Sequence, residues 1–199
     1  MPNVRRLFFG IILLDLLATV SVNGGQGPTD IRYPHVPQAL ILSVTGNHYP
    51  GITRTLATVG FQVREVSAEN YRASQRGWPP LVIVPEKEGQ QLTPPLLQTI
   101  LHNVEGGTPL LMDGLTALAA ELGLKAIGGR SEITRYRWDQ YAQDDVRLPG
   151  RLAYPRFKVG PSLQALAVDA KHDAPLVVSG SHGQGRIRVA AHRRRDRKT

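Results

Sequence analysis

From Gln38 onward the hydrophobic positions of the chain change period repeatedly. Ala39-Leu40-Ile41-Leu42-Ser43-Val44 is a nearly continuous apolar run, the pattern of a parallel strand covered on both faces. After a short loop, Pro50 opens a helix whose Ile52, Leu56 and Val59 share one face and which Gly60 ends. Phe61-Gln62-Val63-Arg64-Glu65-Val66 is mixed and predicts a peripheral strand, whereas Leu81-Val82-Ile83-Val84 is again fully apolar. Thr93 before Pro94 reads as a helix N-cap, and Leu96, Leu97, Ile100, Leu101 and Val104 form the stripe that Gly106-Gly107 closes. Pro109-Leu110-Leu111-Met112 then predicts a strand, and Leu115, Leu118, Ala119 and Leu122 a helical face stopped by Gly123. Such alternation predicts an α/β fold, a doubly wound and mostly parallel sheet with helices on both faces.

The second part of the chain has a different period. Helix signals fade between Arg130 and Phe157, and Glu132-Ile133-Thr134-Arg135-Tyr136-Arg137-Trp138 alternates like an antiparallel strand. Pro175–Ser179, a turn over Gly180–Gly185, and Arg186–Ala190 predict a closing hairpin, so the sheet carries an antiparallel C-terminal extension. In front of the domain, Arg5-Arg6 and the apolar run Leu7–Leu14 have the form of a secretory signal. Asp15 interrupts that run, and the stretch falls short of the roughly 20 residues a spanning helix needs. Residues 1–24 are therefore expected to be a signal peptide, or failing that an uncleaved anchor, with a linker over 25–37 and the domain over 38–190.

Composition changes this picture in two places. The 199 residues, 41% hydrophobic and 20% charged, suffice for one domain with its own core. The net charge of +8 invites an anionic partner, but residues 186–199 hold seven basic residues against Asp196 alone and so account for six of those eight units. The basic tail 191–199 could be a nucleic-acid arm or a lipid-binding patch, with a solvated end as the plainer reading. Its abrupt polarity after the last apolar strand fits better with a truncated gene or a shifted reading frame, which would make the tail foreign to the fold. No cysteine is present, which excludes disulfides, thiolate nucleophiles and Cys-ligated zinc.

Ligands of a doubly wound sheet lie beyond the carboxyl ends of the strands, where strand order reverses. Three loops qualify: Thr45-Gly46-Asn47-His48-Tyr49, Pro85-Glu86-Lys87-Glu88 and Asp113-Gly114-Leu115-Thr116. Thr45, Asn47, His48, Glu86 and Asp113 are the candidate ligand-binding residues. Should the loops converge, His48, Glu86 and Asp113 offer an acid/base or metal-ligating set, the basis of an alternative reading as a switch-point, metal-assisted hydrolase. The plainer reading makes them caps and turn residues. The glycine-rich stretch Ser179–Arg186 is no phosphate loop by pattern, because strand-like Ile187–Ala190 follows it where a helix should start. Tyr136, Trp138, Tyr141, Tyr154 and Phe157 interleave with arginines and could stack on bases or sugars. The favoured alternative has Thr134, Tyr136 and Trp138 packing on one strand face while Arg135 and Arg137 face solvent.

The run from Glu105 to Leu118, with Gly106-Gly107 before a strand and Asp113-Gly114 after it, resembles the region around the nucleophile turn of the class I glutamine amidotransferase-like superfamily. With the terminal strand and Ser181-His182-Gly183-Gln184-Gly185-Arg186, it is similar to non-catalytic members associated with carbohydrate-active or polysaccharide deacetylase-type proteins. The resemblance covers about residues 38–190 and implies a flavodoxin-like, amidotransferase-like sheet. Active members place a cysteine at the sharp turn, because a thiolate must attack the amide carbon. Asp113 and Gly114 stand there instead, and the usual His-x-Glu partner pattern does not occur, so glutaminase chemistry is not expected. The expectation is an exported, secreted or periplasmic, non-catalytic binding or interaction domain of cell-envelope or polysaccharide metabolism. It needs no cofactor, its partner is an unidentified protein or a carbohydrate, no specific nucleic acid is involved, and membrane contact is limited to the N-terminal segment.

Overall fold

The fully apolar runs become the interior of one nine-stranded sheet. The computed structural model describes residues 36–73, 80–138 and 145–190. In chain order the elements are β1 (Gln38–Leu42), α1 (Pro50–Thr58), β2 (Gln62–Val66), α2 (Ala68–Ala73), β3 (Leu81–Val84), α3 (Glu86–Gly89) and α4 (Pro94–Glu105). They continue with β4 (Leu110–Asp113), α5 (Ala117–Glu121), β5 (Leu124–Trp138), β6 (Val146–Val159), β7 (Leu163–Asp169), β8 (Pro175–His182) and β9 (Gly185–Ala190). The strand order is β2-β1-β3-β4-β9-β8-β7-β5-β6. β2, β1, β3, β4 and β9 pair in parallel, and β9, β8, β7, β5 and β6 are joined antiparallel.

Side-chain alternation divides the core into two layers. Leu40, Leu42, Val82, Val84, Leu110, Met112, Ile187 and Val189 point to one face, where Leu96, Leu97, Ile100, Leu101 and Val104 of α4 cover them together with Leu118 and Ala119 of α5. Ala39, Ile41, Leu81, Ile83 and Leu111 point the other way, against Leu56 of α1 and against Ile133, Tyr136 and Tyr154 of the antiparallel strands. β1 and β3 therefore read as unbroken apolar runs because both of their faces are buried. β2 is mixed because it lies at the sheet's edge.

Three expectations are corrected in detail. Thr93 occupies the N-cap position of α4, but its side chain makes no capping hydrogen bond. Thr134 is exposed, while Ile133 and Tyr136 are both buried. The register between β5 and β6 shifts between Ile133 and Arg135, and that irregularity moves the two-residue alternation by one position. The turn between β8 and β9 is only Gly183-Gln184, shorter than the Gly180–Gly185 span, because His182 already pairs with Gly185.

This hairpin is held against the end of α4, where Gln184 N–H donates to the Glu105 carbonyl at 2.9 Å. A Cβ on Gly185 would lie 2.1 Å from the Val104 carbonyl oxygen, so the glycines serve backbone approach rather than anion binding. Among the described residues no helix is long and apolar enough to cross a membrane. Residues 1–24, the linker up to residue 35, Tyr141 and the tail 191–199 lie outside the described residues.

Candidate functional site

From β1 the chain first crosses to β2 on one side and then returns past β1 to β3 on the other, so the carboxyl ends of β1 and β3 flank the point of reversal. The loop from Ser43 to Tyr49 leaves β1 there, and α3 begins directly after β3. One carboxylate joins them. Glu88, fully buried, accepts the Thr45 N–H at 2.8 Å, the Thr45 hydroxyl at 2.8 Å and the Asn47 amide at 3.2 Å. The Tyr49 hydroxyl donates to the same carboxylate, and the Asn47 amide also meets the Thr45 hydroxyl. Burial pulls the Glu88 carboxyl up, but the hydrogen bonds from Tyr49, Thr45 and Asn47 outweigh it and hold the group below its ordinary value.

The other flank of the loop is tied to β2. Glu65 accepts the Tyr49 N–H at 2.9 Å and the Thr53 hydroxyl at 3.4 Å, and His48 Nδ1 lies 2.7 Å from its second oxygen. Burial raises the Glu65 carboxyl, and these bonds together with the His48 charge bring it below its ordinary value. The His48 side chain is 87% exposed and is oriented by Glu65.

The turn after β4 meets the opposite side of α3. Gly114 has φ +81°, and a Cβ there would lie 2.6 Å from Glu86 Cγ. Gly89 likewise has no room for a Cβ, which would come within 2.5 Å of Thr116 Cγ2. Thr116 in turn caps α5, accepting the Ala119 N–H at 3.4 Å. The three loops thus do come together, with α3 as the wedge between the other two.

The five candidate residues divide among these contacts. Thr45 and Asn47 converge on Glu88, whereas His48 turns to Glu65 on β2. Glu86 lies over Gly114, next to Asp113 at the end of β4. Among the described residues no group of three His, Asp or Glu side chains could hold a metal ion. Glu88, Tyr49 and Glu65 are the important members that sequence reasoning did not single out. The available signal was Gly89, whose missing side chain marks the close approach that drives Glu88 inward. Chemically, Glu88 is a deprotonated acceptor whose oxygens are occupied by its own chain, which makes it a loop fastener.

No family model matches the sequence, and no curated protein does either. Solved structures do resemble the fold. A cold-adapted β-galactosidase from Rahnella sp. R3 superposes with a TM-score of 0.56 at 16% identity, over 79% of this chain and 29% of that one. A cytoplasmic protein from Salmonella typhimurium LT2 gives a TM-score of 0.55 at 16% identity, covering 78% of this chain and 87% of its own. A GMP synthase subunit-like protein from Thermoplasma acidophilum gives 0.51 at 11% identity, with 78% and 83% covered. The chain thus spans less than a third of the β-galactosidase and most of the two smaller proteins. At these identities the likeness concerns the fold alone, an α/β sheet of parallel and antiparallel strands.

Proposed function

We propose that this chain is a doubly wound, amidotransferase-like domain without the superfamily's chemistry, serving as a binding or interaction module in cell-envelope or polysaccharide metabolism. Export through residues 1–24 to the periplasm or the exterior is part of the proposal, and its partner is a protein or a carbohydrate.

The observation that carries this reading is the state of the turn after β4. An elbow nucleophile sits on a sharp strand-to-helix turn and projects its side chain into the site. Here the turn keeps a left-handed backbone at Gly114, has no side chain there, and has the space a side chain would take filled by Glu86. The second supporting feature is Glu88, whose bonds close the neighbouring loop on itself. The β-galactosidase likeness, which covers a minority of that enzyme, adds the carbohydrate context.

The test is to titrate the purified chain with oligosaccharides and polysaccharides, following its melting temperature and any product in the same samples. A ligand that binds only the native state raises the melting temperature by mass action. A rise without turnover supports the proposal. Hydrolysis of glutamine or of a glycoside, at a rate abolished by His48→Ala or Glu86→Gln, overturns it.

A further inference from the structure

The sheet ends on two unlike strands. β2 is five residues long and balances Arg64 with Glu65, whereas β6 runs for 14 residues with Arg147, Arg151, Arg156 and Lys158 and no acid. Its pairing with β5 is irregular between Arg147 and Leu152, but from Leu152 to Val159 β6 alternates without a break, because the next irregularity places its extra residues in β5, between Ala126 and Arg130. Over that stretch the two faces differ in kind. Leu152 and Tyr154 pack into the core layer of Leu56, and Arg156 and Lys158 continue the same face into solvent. The opposite face is apolar: Phe157 is 4% exposed, and Ala153, Pro155 and Val159 are half-buried. Lys125 of β5 stands directly opposite Lys158 and shares its face, with Cβ atoms about 5 Å apart, where like charges repel. Among the described residues none of Lys125, Arg156 and Lys158 is paired with an acid, whereas Arg151 is paired with Glu132. The backbone has a phase as well. Pro155 has no N–H and stands opposite Arg130, which fits a pair that exchanges no hydrogen bonds, so Leu152 and Tyr154 bond to β5. Ala153, Phe157 and Val159 are one step out of phase and turn their N–H and C=O groups to the outer edge, where the sheet ends.

We infer that the outer edge of β6 over Ala153–Val159 takes up an extended segment of a partner protein that alternates acidic and apolar residues and adds antiparallel, as the other strands of this half of the sheet do. This gives the interaction role proposed above a protein partner and rests on that reading. An added strand opposes β6 residue for residue, so its acids meet Arg156 and Lys158 while its apolar residues extend the face of Pro155, Phe157 and Val159. Main-chain hydrogen bonds to Ala153, Phe157 and Val159 supply affinity, and the charges supply selection. A neutral strand leaves three cations unpaired. A second copy of β6, added antiparallel, brings its own Arg156 and Lys158 onto the same face and doubles the repulsion. A nucleic-acid strand meets the cations but leaves the apolar face uncovered, and Tyr154 and Phe157 are buried and offer bases no stacking platform.

The experiment titrates the full chain into a fluorescently labelled peptide of four Glu-Val repeats and follows anisotropy at about 0.01 M and about 0.15 M salt. It is compared with a block peptide of four Glu followed by four Val, and with single-stranded DNA of matched charge. In the added strand the valines turn their N–H groups to β6 and the glutamates turn theirs away, so versions N-methylated at valine or at glutamate separate backbone pairing from charge. The edge variant is Lys125→Gln/Arg156→Gln/Lys158→Gln, and Arg193→Gln/Arg194→Gln/Arg195→Gln controls for the basic end. The expected result is salt-sensitive binding, weakened about tenfold or more by methylation at valine and about fivefold or more in the edge variant. Methylation at glutamate and the tail variant are each expected to weaken it less than about threefold. Equal affinity for the block peptide or for the peptide methylated at valine, unchanged affinity in the folded edge variant, or loss confined to the tail variant overturns the inference. Tighter binding of the DNA overturns the choice of partner. Failure of the peptides alone leaves the carbohydrate arm of the broader role standing, whereas turnover in the saccharide titration described above removes that role.

Discussion

Replacing Glu88 by Ala takes away an acceptor shared by four donor groups of Thr45, Asn47 and Tyr49 and leaves them facing a gap. Loss of a charged, buried acceptor costs about 2–3 kcal/mol, which a urea titration resolves. Because the folded-state carboxyl lies below its ordinary value, its contribution is fully present above about pH 4.5 and is lost as pH falls through the folded value. Glu88→Gln should therefore show a shallower loss of melting temperature between pH 6 and pH 3 than the parent, and an unaltered acid slope would contradict the geometry. Gly114 offers a second test. Gly114→Ala forces a Cβ into the left-handed region and onto Glu86, at a cost of about 1–3 kcal/mol. Combining it with Glu86→Ala should recover the steric part, so a double-mutant cycle is expected to show coupling of about 0.5 kcal/mol or more.

At the scale of elements, glycines separate two kinds of position. Gly51 lies in the first turn of α1 with ordinary helical backbone, and a Cβ added there would meet nothing within 4 Å. Gly51→Ala should stabilise by about 0.4–1 kcal/mol through the unfolded chain. Gly185 opens β9 against the carbonyls of Val104 and Thr108, neither of which can rotate away. Gly185→Ala is expected to destabilise strongly, by more than about 3 kcal/mol, read as a lowered urea midpoint. The helices and the apolar strands of the parallel half were legible because each has one dominant period and a glycine or proline at its boundary. α2 and α3 were not: at six and four residues they span less than two helical turns, too little for a helical period to stand out. β6 and β7 were missed although they are 14 and seven residues long, because irregular pairing interrupts their two-residue alternation. The face assignment in β5 failed at Thr134 because an irregular pairing is a property of two strands, and neither strand's sequence contains it alone.

For the whole molecule, the decisive element is β9, which lies between β4 and β8 and joins the parallel half of the sheet to the antiparallel half. Deleting residues 185–190 exposes the edges of both neighbours and removes Ile187 and Val189 from the core. The expected result is loss of the cooperative unfolding transition, measured by near-ultraviolet circular dichroism, rather than loss of one hairpin. The linear sequence alone determined the α/β class, the positions of most elements, the absence of cysteine chemistry and the loops at which a site could form. These follow from local periodicity, turn residues and composition, all of which act over a few neighbouring positions. Tertiary structure alone decided that Glu88 rather than Glu86 fastens the first loop, that His48 turns to Glu65, and that the cations of β5 and β6 face one another. Each of these depends on residues far apart in the chain, as Thr45 and Glu88 are at 43 positions, being placed side by side. That placement is fixed by strand order and register, which periodicity along one strand does not encode.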